Sequence, residues 1–175
     1  MSSPTPASVL TLGEVLLRLS TGPKQRLCNL SALAAHPAGA EANVARNLAR
    51  LGHAVSFQTR LPDHALGRGL ADELRRSGVM LDRVRWQTGG RLGTFFVQLS
   101  DAPRMTEVIY DRAGSCATQM EPADLEPAAF HDCQLLHLSG ITPALSATCA
   151  ATAAHAVALP RAAGALVSFD VNHRA

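Results

Sequence analysis

One segment of the sequence combines small residues with polar side chains at a predicted helix start. Gly39 and Ala40 carry no bulky side chain, so a ligand could approach the backbone closely there. Glu41 and Asn43 follow in the first helical turn, where free backbone amides bind hydroxyl groups or anions and a carboxylate suits the helix dipole. Tight packing alone also explains small residues ahead of a helix, so the pattern has two interpretations.

Two further positions carry polar groups at the ends of predicted strands. Asn172 and Arg174 follow the apolar run 166–170, and ligands of open α/β sheets gather beyond the carboxyl ends of strands. A surface arginine at a strand end is common, so this position alone decides nothing. Glu14 interrupts the apolar run 9–19, where it either faces a ligand or is a solvated carboxylate at the end of a strand.

The elements that would position these residues alternate between strand and helix. Residues 9–19 and 54–59 read as strands, and each is followed by a helical pattern, the first ending at Gly52. In the first helix, Val44, Leu48 and Leu51 are predicted to face the core. In the second helix, residues 65–77, the predicted apolar stripe is Leu66, Leu70 and Leu74. This rhythm predicts a parallel sheet with crossover helices.

The second half of the chain continues the pattern with one interruption. Residues 94–99 and 107–110 predict a hairpin, while residues 21–36 read as irregular. Residues 134–140 and 166–170 read as buried core strands. Between them Ser146 can cap an alanine-rich helix that ends near residue 159, where Pro160 and then Gly164 stop it.

The amino-acid composition is that of a globular protein. At 175 residues with 47% hydrophobic and 17% charged residues, the chain is long enough for one globular domain with a core. A net charge of +2 gives no reason to expect nucleic acid or an anionic membrane as a partner. The first residues lack the pattern of a signal peptide, and no apolar run is long enough to span a bilayer.

The cysteines are scattered and form no C-x-x-C pair. Reduced, mostly buried thiols in a cytoplasmic protein are therefore expected for Cys28, Cys116, Cys133 and Cys149. His131, Cys133 and His137 look superficially like metal ligands. Nothing completes a tetrahedral set, so no metal site is predicted.

Several segments resemble one enzyme family. The segment from Gly39 to Gly52, Gly-Ala-Glu-Ala-Asn-Val-Ala-x-x-Leu-Ala-x-Leu-Gly, is similar to the first motif of the ribokinase-like (PfkB-type) sugar kinases. Glu41, where fructokinase-like members tend to carry proline, resembles the 2-keto-3-deoxygluconate kinase branch, as does the Gly-Glu pair at residues 13–14. The Asp-x-Asn-x-Arg run at 170–174 is similar to the family segment near the transferred phosphate. Phe95 and Asp111 stand where members often carry tyrosine.

The resemblance implies an α/β fold, a ribokinase-like three-layer sandwich in which helices flank a parallel-type sheet. A small β-sheet lid is expected to cover the sugar, with lid strands near 15–38 and 92–113. The fold is expected to be truncated at its C-terminal side. Residues 1–175 are thus interpreted as the N-terminal, sugar-binding part of a kinase.

The implied reaction is transfer of the ATP γ-phosphate, with Mg²⁺, to a hydroxyl of a sugar or sugar acid, with a 2-keto-3-deoxygluconate-like substrate favoured. Arg112 could pair a sugar-acid carboxylate through its planar guanidinium. The resemblance assigns sugar binding to Gly39, Ala40, Glu41, Asn43, Tyr110, Asp111 and Arg112, and the phosphate side to Asn172 and Arg174. The family's Gly-Ala-Gly-Asp motif, which holds the catalytic base, does not occur in this sequence. No catalytic residue is therefore assigned, the main ATP and Mg²⁺ sites are expected outside this chain, and the fragment is expected to be inactive alone.

Other interpretations stay open. The chain could be a non-catalytic sugar-binding or dimerisation module, or part of a kinase for a neutral sugar such as fructose or ribose. A Rossmann dinucleotide domain would need G-x-G-x-x-G after the first strand, which is absent. The expected partners are a small sugar or sugar acid and a second copy bound through the lid, without nucleic acid or membrane. The expected location is the cytoplasm.

Overall fold

The computed structural model describes residues 8–29, 32–100, 105–130, 133–162 and 164–173. Within these ranges the strands are β1 (Val9–Leu12), β2 (Leu16–Ser20), β3 (Ala34–Ala38), β4 (Val55–Pro62), β5 (Val84–Gln87), β6 (Thr94–Gln98), β7 (Glu107–Asp111), β8 (Leu135–Ser139) and β9 (Leu166–Asp170). The α-helices are α1 (Ala40–Arg50), α2 (Ala65–Arg76), α3 (Ile141–Ala144) and α4 (Ala147–Ala162). Short 3-10 turns lie at Leu27–Asn29, Cys116–Gln119, Pro122–Asp124 and Pro127–Phe130.

A parallel sheet forms the centre of the molecule. Its order among the described strands is β5-β4-β1-β8-β9, and each neighbouring pair is parallel. Successive side chains of β1 point to opposite faces: Val9 packs with the buried side chains of α1 and α2, while Leu10 and Leu12 pack with those of α4. Helices therefore cover both faces, which confirms the predicted α/β sandwich with crossover helices.

A second, smaller sheet is built from the remaining strands. Its order is β3-β2-β6-β7, with β2 antiparallel to β3 and parallel to β6, and with β6 and β7 forming an antiparallel hairpin. The hairpin confirms the pattern at 94–99 and 107–110. Part of the region 21–36 that reads as irregular is in fact strand β3, a short edge strand of Ala-Ala-His-Pro-Ala with weak strand propensity. All five side chains of β7 are exposed.

The first two helices follow the predicted apolar stripes only in part: Leu70 and Leu74 of α2 are buried as predicted and Leu48 of α1 packs against the core, whereas Leu51 and Leu66 are exposed. In α1 the buried side chains are Glu41, Ala42 and Ala45, whereas Leu51 is 75% exposed. The buried stripe of α1 is thus rotated toward its alanines, which let the helix approach the sheet closely. In α2, Leu66 is 59% exposed, because Gly67 occupies the sheet-facing position; a Cβ there would lie 2.1 Å from the Pro62 carbonyl oxygen.

The helix after residue 146 begins as the sequence predicts and ends later. Ser146 Oγ accepts a hydrogen bond from the backbone N–H of Cys149 at 3.0 Å, which satisfies one of the free amides of the first turn. The helix continues past Pro160 to Ala162, so the predicted stop near residue 159 is wrong. Pro160 lies close enough to the helix end that its missing N–H disturbs little of the hydrogen-bond ladder.

Strand β9 differs from the expected core strand. Among the described strands it lies at the edge of the large sheet, where its one neighbour is β8. Its side chains are only partly covered, with Leu166 71% and Phe169 51% exposed, and Val171 just beyond it is 70% exposed. This edge therefore presents both unpaired backbone groups and apolar side chains.

The described cysteines are all free thiols. Cys116, Cys133 and Cys149 are buried free thiols whose pKa values are raised by that burial, as expected for unreactive core residues, whereas Cys28 is exposed. Within the described ranges, which omit His131, no group of three or more His, Cys, Asp or Glu side chains is placed to hold a metal ion. No helix of the described part is long and apolar enough to cross a membrane.

The exposed edge predicts self-association that depends on β9. Replacing Phe169 by Lys places a charge on the edge strand and should shift the 175-residue chain toward monomer, because charged side chains oppose pairing of open sheet edges. Sedimentation velocity over a range of concentrations measures this. Leu51→Lys, which changes an even more exposed apolar side chain at the end of α1, is the matched control. An equal response of both variants would show that β9 is not the contact.

Candidate functional site

A cleft of about 280 Å³ lies between the small sheet and the start of α1. Most of the residues that the resemblance assigns to sugar binding meet here, although they come from distant parts of the chain. Its lining consists of Glu14, Leu16, Arg18, Ala38, Gly39, Ala40, Glu41, Asn43, Phe95, Val97, Tyr110, Arg112 and Ile141.

A second groove, of about 330 Å³, lies between the small sheet and helices α1 and α2. It is somewhat larger, but none of the predicted site residues lines it. Two of its charged side chains already have partners in the protein: Glu73 forms an ion pair with Arg76, and Arg46 donates a hydrogen bond to Ser77. The chemistry therefore favours the smaller cleft.

Gly39 forms the tightest point of the cleft wall. Its φ of 148° and ψ of 138° lie in a region that side-chain-bearing residues rarely adopt. A Cβ on Gly39 would also lie 2.2 Å from the backbone oxygen of Glu14. Glycine is thus required on both counts, and the following Ala40 and Asn43 line the cleft on the first turn of α1.

Glu41 is placed differently from a simple ligand-facing carboxylate. Its side chain is fully buried, and Oε1 accepts hydrogen bonds from Ser139 N at 3.0 Å, Ser139 Oγ at 2.8 Å and Thr142 Oγ1 at 2.7 Å. One oxygen therefore ties α1 to the end of β8. The other oxygen, Oε2, is buried next to Gly13 and has no hydrogen-bond partner among the described residues.

Glu14 is not the solvated strand-end carboxylate that the sequence left open. It is 2% exposed, and its Oε2 accepts a hydrogen bond from Arg112 Nη1 at 3.1 Å, while Ser115 Oγ donates to Oε1 at 3.4 Å. Burial is the main cause that raises the pKa of Glu14, and the positive charge of Arg112 offsets part of this rise. The nearby charge of Glu41 raises it further.

Two aromatic rings and a guanidinium cover the other side of the cleft. The rings of Phe95 and Tyr110 are stacked, with centroids 5.4 Å apart and an angle of 23° between planes. The Arg112 guanidinium carbon lies 4.8 Å from the Tyr110 ring centroid, a cation–π contact. Tyr110 and Arg112 thus share the cleft-facing side of the chain.

Asp111 is the predicted sugar contact that the structure does not bring into the cleft. It lies between Tyr110 and Arg112 on an extended segment, so its side chain points to the opposite face. Its carboxylate forms an ion pair with Arg91 at 2.7 Å. Asp111 therefore supports the outer face of the hairpin.

Asn172, one of the two predicted phosphate-side residues, is not part of the cleft lining. Asn172 follows β9 with a φ of 51°, and its backbone N–H donates to Asp170 Oδ1 at 2.8 Å. This short loop stands at the carboxyl end of the parallel sheet, next to Gly140, whose N–H donates to the Asp170 backbone oxygen. Arg174 lies outside the described residues.

Arg18 is a cleft residue that sequence reasoning missed. It lies in the middle of β2, two residues after Leu16, and both side chains line the cleft. The sequence could have indicated this position, because residues two apart on a strand point to the same face and Arg18 is two residues after Leu16. A polar residue in the middle of an otherwise apolar strand was a candidate for the site.

A central parallel sheet with helices on both faces, joined to a small sheet over a cleft, is the architecture of ribokinase-like kinases. The model of the pfkB family of carbohydrate kinases matches residues 7–174. The chain belongs to the pfkB carbohydrate kinase family.

Individual relatives agree with this assignment. A 2-dehydro-3-deoxygalactonokinase from Haloferax volcanii is 39% identical over 168 residues, covering 96% of this chain and 52% of that protein. Fructokinase-1 from Oryza sativa subsp. japonica is 32% identical and covers 95% of this chain and 51% of that protein. The crystal structure of 2-dehydro-3-deoxygluconokinase from Thermotoga maritima matches with a TM-score of 0.91 and 34% identity, covering 96% of this chain and 52% of that chain. The chain thus spans about half the length of these proteins.

The strained geometry of Gly39 predicts a specific cost of substitution. Gly39→Ala should lower the free energy of unfolding by at least about 1–3 kcal/mol, because the new Cβ meets backbone and the φ is unfavourable. Urea unfolding measures the change. Gly69→Ala, inside α2 with no atom within 4 Å of the added Cβ, is the control and should instead stabilise slightly. A neutral Gly39→Ala would contradict the close approach to Glu14.

The raised pKa of Glu14 predicts a pH-dependent effect of Glu14→Gln. A carboxyl group with a raised folded pKa contributes most to stability below its unfolded value, and this contribution falls as pH rises through the folded pKa. Glutamine does not titrate, so the variant should gain stability relative to wild type between about pH 4 and about pH 7. Urea unfolding at both pH values measures the difference. Glu107→Gln, which changes an exposed carboxylate on β7, is the control against which the Glu14→Gln trend is compared. An opposite trend for Glu14→Gln would mean that Arg112 outweighs burial.

Proposed function

We propose that this chain is the sugar-binding part of an ATP-dependent kinase that phosphorylates a hydroxyl of a sugar or sugar acid, with a 2-keto-3-deoxygluconate-like substrate favoured. The observation that carries the proposal is that the start of α1, Tyr110 and Arg112 all line the same cleft. The printed names of the Haloferax and Thermotoga relatives support a keto-deoxy sugar acid.

Each part of the cleft suits one part of a sugar. Gly39 and Ala40 let hydroxyl groups approach the backbone, and the amide of Asn43 can both donate and accept hydrogen bonds. The stacked Phe95 and Tyr110 rings offer a flat apolar surface, and the two-strand hairpin that carries them would act as part of the lid. Arg112 closes the cleft from the side of β7.

The phosphate donor would be held mainly outside this chain. The described residues provide no group of three or more carboxylate, imidazole or thiol side chains that could hold a metal ion, so the proposal places the Mg²⁺ of ATP mainly on residues outside this chain. Asn172 lies at the carboxyl end of the sheet, and we propose that it and Arg174, two residues further along the chain, approach the transferred phosphate from this side. The sequence lacks the Gly-Ala-Gly-Asp motif expected to hold the catalytic base, so we propose that these 175 residues alone are inactive.

Two alternatives are supported by particular observations. The Oryza fructokinase covers nearly the same part of this chain, and Phe95 lacks the hydroxyl that a tyrosine would offer, so a neutral sugar such as fructose or ribose is the second candidate. A non-catalytic sugar-binding or dimerisation module is the third. It is favoured by the exposed apolar side chains Val108 and Ile109 on β7.

The same exposed strand supports a proposed assembly. We infer that two copies associate through the lid. Association would bury the apolar side chains of the exposed edge strand β7 and remove them from water, which stabilises the assembly. We also propose that the protein acts in the cytoplasm, where ATP is available and free thiols stay reduced.

Titration of the 175-residue chain with sugars tests the function. We expect 2-keto-3-deoxygluconate to bind, and Arg112→Ala to weaken binding roughly tenfold, since a hydrogen bond to a charged group is lost. Nuclear magnetic resonance titration detects even weak binding. Asp111→Asn, whose side chain points away from the cleft, should leave the affinity unchanged. With ATP and Mg²⁺ added, no phosphorylated sugar should form.

Three results would count against the proposal. Binding of fructose or ribose without the sugar acid would favour the neutral-sugar kinase. Equal effects of Arg112→Ala and Asp111→Asn would remove the cleft as the binding site. Formation of a phosphorylated sugar by these 175 residues would contradict the inactive fragment.

A further inference from the structure

The cleft contains two arginines and two glutamates in its lining, and their charges are not equivalent. Arg112 donates to the buried carboxylate of Glu14 and lies over the Tyr110 ring. Its positive charge is therefore already compensated inside the protein. Glu41 is satisfied at one oxygen by uncharged donors from Ser139 and Thr142.

Arg18 stands in a different situation. Its side chain is exposed to the cleft, and no residue in the described ranges forms a hydrogen bond or ion pair with it. Its Cα pairs in register with that of Phe95, which in turn pairs with Tyr110. Arg18, Phe95 and Tyr110 thus form one row across three strands on the cleft side of the small sheet.

The row places one arginine at each end of the stacked rings. Arg18 begins it on β2, and Arg112 follows Tyr110 at the far end of β7. The Arg112 guanidinium already binds the Glu14 carboxylate. A ligand carboxylate bound to the same guanidinium would be repelled by Glu14, because both groups are negative. A carboxylate that approached Arg18 meets no such competitor among the described residues.

We propose that Arg18 recognises the carboxylate of an acidic sugar, while the Arg112–Glu14 pair contacts hydroxyl groups. This assignment rests on the proposed function, since it names the residue that selects the substrate class. A guanidinium can bind a carboxylate through two parallel hydrogen bonds, which adds orientation to charge. Arg18 therefore separates sugar acids from neutral sugars, and Arg112 serves both.

The test compares arginine variants of the 175-residue chain with two named probes. Nuclear magnetic resonance titrations with 2-keto-3-deoxygluconate and with fructose are run on wild type, Arg18→Ala, Arg18→Lys and Arg112→Ala. Arg18→Ala should weaken binding of the sugar acid by roughly tenfold to a hundredfold and leave fructose unaffected. Arg18→Lys should restore part of the loss, because the charge returns without the planar geometry. The control is Arg50→Ala, which removes an exposed arginine of α1 outside the cleft.

A spectroscopic signature accompanies the affinities. The side-chain Nε resonance of Arg18 should shift on addition of the sugar acid and stay in place on addition of fructose. If wild type binds the sugar acid and Arg18→Ala binds it equally well, the assignment of Arg18 is wrong while the proposed function stands. If both arginine variants weaken both sugars alike, Arg18 carries no selectivity. If wild type binds no sugar acid, the proposed substrate fails and the assignment fails with it.

Discussion

Two carboxylates buried side by side determine how the cleft is built. Glu14 and Glu41 are almost completely removed from solvent, and the cost of burying a carboxylate is offset only by close donors. Glycines create the space for them: a Cβ at residue 13 would lie 2.3 Å from the Glu41 carboxyl carbon, and one at residue 93 would lie 2.8 Å from Glu14 Oε1. The site therefore depends as much on absent side chains as on present ones.

The same two carboxylates hold the walls of the cleft in place. Glu14 lies where the chain passes from β1 in the large sheet to β2 in the small sheet, and Arg112 lies just beyond β7. Their ion pair therefore links the far strand of the small sheet to this crossing. Glu41 fixes the start of α1 to the end of β8 through Ser139. The binding surface and the joint between the two sheets are thus one structure.

Local pattern predicted the order of elements, the parallel sheet and the glycine ahead of α1, because these follow from periodicity and turn chemistry over short stretches. Partnerships between distant residues did not follow. The contact between Glu14 and Arg112 joins residues 98 apart in sequence. The residues next to Glu14 therefore could not predict which cation would pair with it. The exposure of Leu66 depends on Gly67 taking the sheet-facing position. Strand β5 was not predicted, since its mixed polar and apolar side chains pair at a sheet edge.

The strand order also dictates when each sheet can form as the chain is synthesised. The small sheet uses only residues between Leu16 and Asp111, so all its strands have left the ribosome early. The central strand β1 instead waits for β8, because Val9 pairs with Leu135. Such long-range parallel pairing is slow, and domains form from the N-terminus as synthesis proceeds. Until β8 is made, the side of β1 that pairs with it stays open in the nascent chain.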